Sequence, residues 1–99
     1  MEIFWSKKAS KRLREVHKFY KKAYSKKYAD KIKSALFKRA MSLVKSPLMG
    51  TLELGEKVED FGVRYLVEEH CKLYYQVIDD KIEIVSVFDT HQHPDKMSI

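Results

Sequence analysis

Two histidines, His91 and His93, lie just before Pro94, beyond the last segment with the composition of a strand. An imidazole with its ordinary pKa of about 6.5 can accept or donate a proton at neutral pH. Cleavage of RNA by its own 2′-hydroxyl needs a base, an acid and a cation that stabilises the charge developing on the phosphate. Arg64 and Lys72 are the candidates for that cation, since a guanidinium binds phosphate through two hydrogen bonds. The candidate catalytic residues are therefore Arg64, Lys72, His91 and His93.

Each of these residues also has an ordinary structural interpretation. The two histidines can be polar residues of an irregular tail, and the two cations can be solvent-facing residues of their strands. A metal site is not expected, because zinc needs three or four protein ligands and only His17, His70 and Cys71 remain besides the pair. Cys71 is the single cysteine, which excludes an internal disulfide. The sequence thus predicts neither a metal nor another cofactor.

The charge of the chain differs between its two halves. The 99 residues carry a formal net charge of +6, but residues 1–49 contain 15 Lys or Arg and three acids, whereas residues 50–99 contain five and eleven. The first half therefore has a net charge of +12 and the second of −6. A strongly positive half attracts polyanions, and phosphate backbones are the commonest polyanions in a cell. Nucleic acid is the leading partner class, and a lysine-rich helix surface that contacts only solvent is the alternative.

Residues 6–46 have the pattern of two amphipathic helices. Apolar residues recur every three or four positions, first as Ala9, Leu13, Val16, Tyr20 and Tyr24, and then as Ala29, Ile32, Leu36, Ala40 and Leu43. A turn is expected near Ser25, because average helices have only about 11–12 residues. The resulting hairpin presents two rows of lysine on one surface. The candidate RNA contacts on these rows are Lys11, Lys18, Lys31 and Lys38.

Strands are predicted at the start of the chain and in its second half. They are residues 2–5, 63–68, 71–78 and 81–88, which are rich in Val, Ile, Tyr and Leu, with turns at residues 69–70 and 79–80. Residues 50–62 are predicted as a loop or lid, and residues from Asp89 onward as an irregular polar tail. Only the helical hairpin offers an apolar cover for the strands. We therefore predict one α+β domain over residues 1–99, in the order β-α-α-β-β-β, with the helical hairpin packed on a small, mostly antiparallel sheet.

No segment has the roughly 20 consecutive apolar residues of a membrane helix. The N-terminal residues also lack the apolar core of a signal peptide. We therefore expect a cytoplasmic protein that does not associate with a membrane.

The order of these elements and several local patterns resemble the RelE/ParE superfamily of bacterial toxins, over nearly the whole chain. The resemblance rests on the opening strand with residues 6–9 after it, on the two basic helices that end at Ser46 and Pro47, and above all on residues 63–94. Members have an arginine in the second strand, which Arg64 matches, and a basic residue with tyrosines in the third, which Lys72 and its neighbours match. An acidic turn, a β-rich strand and a polar motif before a proline then follow.

The resemblance implies the toxin of a type II toxin–antitoxin module, held inactive by a cognate antitoxin. RelE-like members cut messenger RNA on the ribosome without a metal, and this pattern predicts a ribosome-dependent mRNA endoribonuclease in which Arg64 binds the scissile phosphate and His91 or His93 moves the proton. The alternative is a ParE-like plasmid stabilisation toxin that inhibits DNA gyrase without catalysis. His91 stands where many relatives have arginine, and Lys57 is the one lysine in residues 51–60, which favours the alternative. The histidines near the C-terminus favour the nuclease.

Overall fold

The computed structural model describes residues 1–53 and 62–91, which form two helices on one face of a mixed sheet. In chain order the elements are β1 (Glu2–Trp5), α1 (Lys7–Ala23), α2 (Lys26–Met41), a 3-10 turn (Ser42–Val44), β2 (Thr51–Leu52), β3 (Arg64–Glu68), β4 (Cys71–Ile78) and β5 (Lys81–Asp89). The strands lie in the order β1-β5-β4-β3-β2, and β1 is parallel to β5 while the other neighbouring pairs are antiparallel. The predicted α+β fold is confirmed.

Two serines begin the helices. The Ser6 hydroxyl accepts a hydrogen bond from the Ala9 backbone N–H, and the Ser25 hydroxyl accepts one from the Tyr28 N–H, each at 3.0 Å. Such N-caps satisfy backbone donors that the first helical turn leaves unpaired. The predicted turn near Ser25 is therefore confirmed. Tyr24 was predicted to face the core, but that prediction is wrong, because the residue ends α1 and its side chain is 65% exposed.

The core lies between the helices and the sheet. One cluster joins the buried stripe of each helix to the sheet face below, and its members include Ala9, Leu13, Val16, Tyr20, Ala29, Ile32, Leu36, Ala40, Leu66, Leu73, Tyr75, Ile82, Ile84 and Val87. A second, smaller cluster of Val63, Tyr74 and Phe88 lies on the opposite face of the sheet. Because successive strand residues point to opposite faces, these clusters define which side each strand residue faces.

A β-bulge changes the register between β4 and β5. Tyr75 pairs with Ile84, but Tyr74 pairs with Ser86, so Val85 is the extra residue. The Ser6 hydroxyl donates a hydrogen bond to the Val85 carbonyl at 3.0 Å, which ties the bulge to the start of α1. In a regular strand, residues alternate between the two faces of the sheet. Because of the extra residue, each β5 residue after Val85 faces the side opposite to the one that uninterrupted alternation would give it. Asp89 consequently points toward the helices and is only 2% exposed, and the prediction of an irregular tail from this residue is wrong for Asp89 itself.

One predicted loop contains a strand. Thr51 and Leu52 pair with Tyr65 and Arg64, so the loop prediction is wrong for these two residues, while residues 54–61 of that loop lie outside the described residues. Gly50 leads into this strand, and a Cβ there would lie 2.6 Å from the Tyr75 hydroxyl oxygen and 2.9 Å from a backbone oxygen of β3. Glycine is therefore required by the close approach of the chain to its neighbours.

The two connections between the long strands are tight turns, as predicted. Glu69 has a φ of 56°, Asp79 of 47° and Asp80 of 63°, all in the left-handed region. Aspartate tolerates this region better than most residues do. In the part of the chain that is described, neither helix is long and apolar enough to span a membrane.

Candidate functional site

The outer surface of the hairpin carries the predicted rows of lysine. On each helix the row lies opposite the buried stripe, and all four candidate RNA contacts are exposed: Lys11, Lys18, Lys31 and Lys38. Because both helices cover the same face of the sheet, the outer sides of the helices point in the same direction, away from the sheet. The structure thus places the four lysines on one broad cationic surface. A role in RNA binding stays a prediction.

Arg64 lies at the start of β3, on the helix face and near the edge of the sheet. Its Nη1 donates hydrogen bonds to the Gly50 carbonyl at 2.8 Å and to the Leu48 carbonyl at 3.3 Å. The Gly50 N–H in turn donates to the Tyr75 hydroxyl at 2.9 Å. Burial raises the pKa of Tyr75, and the Gly50 hydrogen bond and the nearby guanidinium oppose that rise. Arg64 thus fastens the turn before β2, and within the described residues only its Nη1 has hydrogen-bond partners.

Lys72 lies on the opposite face of the sheet from Arg64. It pairs with Val67 on β3, and its Nζ lies 4.6 Å from the centroid of the Tyr65 ring. That ring contacts Tyr74, at 6.0 Å between centroids. Burial, followed by the charge of Glu53, raises the pKa of Tyr74 to about 12. The Tyr74 phenol is therefore protonated at neutral pH and acts as a hydrogen-bonding group, not as a base. The ammonium of Lys72 contacts the Tyr65 ring and is directed away from Arg64.

His91 packs against His70, which is not among the predicted catalytic residues. Its ring stacks on that of His70, with centroids 3.9 Å apart and an angle of 24° between the planes. The backbone N–H and the hydroxyl of Thr90 both donate to the His70 carbonyl, at 2.9 Å and 3.0 Å. The structure thus brings two imidazoles together at the β3–β4 turn. His93 lies outside the described residues.

The buried Asp89 carboxylate holds this end of the chain. Its Oδ1 accepts a hydrogen bond from the His91 backbone N–H at 2.7 Å, and its Oδ2 accepts one from the Cys71 thiol at 3.5 Å. Burial raises the pKa of that thiol, and the carboxylate raises it further, so Cys71 is a protonated donor and not a nucleophile. The pKa of Tyr20 is raised in the same way, by burial first and then by Asp89. Asp89 therefore positions His91 from within the core.

The structure does not bring the guanidinium and the imidazoles together. Arg64 pairs with Tyr75 at one end of the β3–β4 hairpin, whereas Glu68 pairs with Cys71 at the other end, next to His70. Four residues of strand separate these ends, which corresponds to roughly 13 Å at about 3.3 Å per residue. Lys72 lies on the other face of the sheet. Of the four candidate catalytic residues, the three that are described therefore occupy three separate places.

Two of these placements follow from signals in the sequence. A two-residue turn at residues 69–70 places Lys72 opposite Val67, and positions 64 and 67 of one strand face opposite sides. Arg64 and Lys72 can therefore be assigned to different faces from the turn alone. The contact between His70 and His91 depends on the β-bulge, for which the sequence has no comparable signal. The described residues contain no group of three or more His, Cys, Asp or Glu side chains arranged to hold a metal ion.

Comparison with known proteins gives a family and a fold. Residues 3–94 match the family model described as "ParE toxin of type II toxin-antitoxin system, parDE". Among curated proteins, no significant match to the chain is found.

Two solved structures are similar to this chain. A chain of the chromosomal ParDE toxin–antitoxin system from P. aeruginosa has a TM-score of 0.76 and 21% identity, over 90% of this chain and 95% of that one. A chain of the toxin–antitoxin complex RelBE2 from Mycobacterium tuberculosis has a TM-score of 0.67 and 17% identity, over 89% of this chain and 95% of that one. At such identities the likeness concerns the fold.

Proposed function

This chain belongs to the ParE toxin family of type II toxin–antitoxin systems, and from this premise we propose that it arrests growth by binding its target without cutting RNA. DNA gyrase is the proposed target, as the ParE-like resemblance implies. The separation of the candidate catalytic groups supports this proposal. Arg64 is engaged with backbone carbonyls, Lys72 faces an aromatic ring on the other side of the sheet, and His91 lies at the far end of the hairpin. Acid–base cleavage requires such groups within hydrogen-bond reach of one phosphate.

The test is a supercoiling assay with the full chain, purified gyrase, relaxed plasmid and ATP. We expect the chain to inhibit supercoiling, and a type I topoisomerase in the same buffer is the control that should be unaffected. A His91→Ala/His93→Ala variant should keep both gyrase inhibition and growth arrest, because binding does not need a proton donor at these positions. Unchanged supercoiling at toxin concentrations well above that of gyrase contradicts the proposal.

A ribosome-dependent mRNA endoribonuclease is the second candidate. It is favoured by the two stacked imidazoles at 3.9 Å and by the cationic helical surface, which suits docking on ribosomal RNA. Here Arg64 would bind the phosphate, Lys72 would add positive charge, and His91 or His93 would move the proton. Primer extension on messenger RNA after induction distinguishes the candidates. Fragments that appear with the wild-type chain and disappear with His91→Ala/His93→Ala would establish the nuclease.

A cognate antitoxin is part of the proposal under either mechanism. Its support is that the similar structures come from toxin–antitoxin complexes. Both candidate targets are cytoplasmic, so the proposal includes that location. Co-expression of the small open reading frame adjacent to this one should restore growth and yield a stable complex on gel filtration. If none of the neighbouring open reading frames restores growth, the proposal of a cognate antitoxin is contradicted.

A further inference from the structure

The tip of the helical hairpin combines an exposed aromatic ring with exposed ammonium groups. We define the tip as Lys21 and Lys22 at the end of α1, Tyr24, and Lys26 and Lys27 at the start of α2. Tyr24 is 65% exposed, more than any other Phe, Tyr or Trp side chain in the described part of the chain, and all four lysines are exposed. Lys22 and Lys27 stand four residues from Lys18 and Lys31 of the outer rows, so the tip adjoins those rows and differs from them by the exposed ring of Tyr24.

The Tyr24 ring is held in place by two other tyrosines. It stacks on the buried Tyr20, with 5.7 Å between centroids and 29° between planes, and it contacts Tyr28 at 5.2 Å. Tyr20 and Tyr28 also contact each other, at 5.6 Å. These contacts restrict the ring without covering it. A flat partner that stacks on Tyr24 therefore meets a preorganised surface and requires little additional ordering of the side chain.

The charged side chains of the tip are all positive. Residues 16–29 contain five lysines and no acid. Lys26 forms an ion pair with Asp30 at 3.0 Å, but Lys21, Lys22 and Lys27 have no ion pair with any described residue. Lys21, Lys22 and Lys27 are exposed, stand within three residues of Tyr24 in the sequence, and are thus available to bind an anion.

The position of Lys26 and Lys27 is unfavourable for the helix itself. Both lie in the first turn of α2, which contains no acid, and the positive end of the helix dipole disfavours cations there. Lys21 and Lys22, in the last turn of α1, are favourably placed for the helix dipole. Helix stability therefore accounts for Lys21 and Lys22 and, through the ion pair with Asp30, for Lys26, but it does not account for Lys27.

We propose that the tip binds single-stranded nucleic acid, with an unpaired base stacked on Tyr24 and the flanking phosphates bound by Lys21, Lys22 and Lys27. An aromatic ring among cations is the combination that single-strand-binding proteins use, because every base has a face that can stack. A duplex keeps its bases stacked on one another and offers the ring no free face. An acidic peptide would use the lysines but would leave Tyr24 without a function. This inference goes beyond the proposed function and holds for a gyrase or a ribosomal target alike.

The first test measures fluorescence anisotropy of labelled 12-nucleotide oligouridylate and oligothymidylate, titrated with the full chain made by cell-free translation. We expect Tyr24→Ala and Tyr24→Leu to weaken binding by about fivefold or more, since stacking on an aromatic side chain contributes at least that much per base. Tyr24→Phe keeps the ring and should bind within about twofold of wild type. Tyr24→Leu retains apolar contact with Tyr20 and Tyr28, so it separates loss of stacking from loss of folding.

The second test measures the salt dependence of the same binding. Lys22→Ala/Lys27→Ala should lower the slope of log K against log salt by about 0.7 for each phosphate that the variant no longer binds. Lys45→Ala/Lys81→Ala removes the same charge from positions outside the tip and should leave the slope near that of wild type.

Three outcomes would overturn the proposal. The first is oligonucleotide affinity that does not change with Tyr24→Ala and Tyr24→Leu. The second is an equal reduction of the slope in both lysine pairs, which would indicate general electrostatic attraction. The third is that the variants at Tyr24, Lys22 and Lys27 bind the oligonucleotides as wild type does but bind gyrase or antitoxin more weakly. This result would assign the tip to a protein partner.

Discussion

Arg64 stabilises the turn before β2 through hydrogen bonds to its backbone. Its Nη1 donates to the carbonyls of Leu48 and Gly50, at 3.3 Å and 2.8 Å, and so closes the turn that leads into β2. Removing the guanidinium leaves two backbone acceptors without this donor. A loss of toxicity on substitution of Arg64 is therefore not by itself evidence of phosphate binding, because loss of stability has the same effect on a growth assay.

We predict that Arg64→Ala lowers the free energy of unfolding by about 1.5–3 kcal/mol, since hydrogen bonds from a charged donor contribute this much. The melting temperature should fall by about 4–8 °C for each kcal/mol in a domain of this size. Thermal unfolding followed by circular dichroism gives the value. Lys72→Ala is the matched control, because the contact of its half-buried side chain with a ring contributes only about 0.5–1 kcal/mol. Equal melting temperatures for wild type and Arg64→Ala would show that Arg64 does not stabilise the turn.

At the scale of the elements, Ser25 determines where α1 and α2 separate. The apolar stripe of Tyr20, Tyr24, Tyr28 and Ile32 runs on through the turn, so periodicity alone does not divide the helices. The Ser25 hydroxyl accepts a hydrogen bond from the Tyr28 N–H and begins α2. We predict that Ser25→Ala costs about 1 kcal/mol of stability, measured by urea unfolding. Ser34→Ala, at an exposed position within α2, should be neutral or slightly stabilising, and an equal loss in both variants would contradict the capping role.

The two helices are also joined by a pH-sensitive contact. His17 Nε2 lies 2.7 Å from Asp30 Oδ1, and Lys26 Nζ lies 3.0 Å from Oδ2. The hydrogen bond with His17, followed by that with Lys26, lowers the pKa of Asp30. A lowered pKa in the folded state stabilises the fold above the ordinary aspartate pKa of about 4, and the contribution disappears as pH falls through the lower folded value.

We therefore predict that wild type melts above Asp30→Asn at pH 6 and that the difference shrinks below about pH 4. Differential scanning calorimetry at a series of pH values measures this difference. A gap between the two melting temperatures that widens in acid would mean that the carboxylate does not stabilise the hairpin.

At the scale of the whole molecule, the charge is divided between the helical surface and the sheet. The first 49 residues carry a net charge of +12, and the lysine rows of both helices point away from the sheet. A surface of this kind binds a phosphate backbone with strong salt dependence. Those acidic residues of the second half that the structure describes lie in the strands or next to them, so the described part of the molecule has a distinct cationic side.

We predict that Lys11→Ala/Lys31→Ala reduces the salt slope of binding to a 20-base-pair RNA duplex by roughly one for each lysine that contacts a phosphate. Lys45→Ala/Lys81→Ala removes equal charge elsewhere and should change the slope less. Anisotropy titrations over a range of salt concentrations provide the slopes. Identical slopes in the two variants would show that the rows are not a docking surface.

Much of the fold could be predicted because the sequence patterns that determine its helices and turns involve residues close together in the chain. Helix periodicity, the caps at Ser6 and Ser25, and the aspartates of the Asp79–Asp80 turn each act within a few residues. The arrangement of the candidate site residues depends on contacts between distant parts of the chain. Arg64, Lys72 and His91 are candidates because of their residue types, and a residue type does not determine which face or end of the sheet the residue occupies.

The linear chain alone was enough to establish the two helices, the strands that follow them and the division of charge, because spacing and composition do not depend on folding. Packing in three dimensions decided which side chains meet. The bulge at Val85 turns Asp89 into the core and Phe88 to the other face, and Asp89 then holds His91 against His70. Such a bulge arises from packing between strands and the start of α1, and a shift of one residue exchanges the two faces of a strand. Proximity of this kind therefore exists only in the folded molecule.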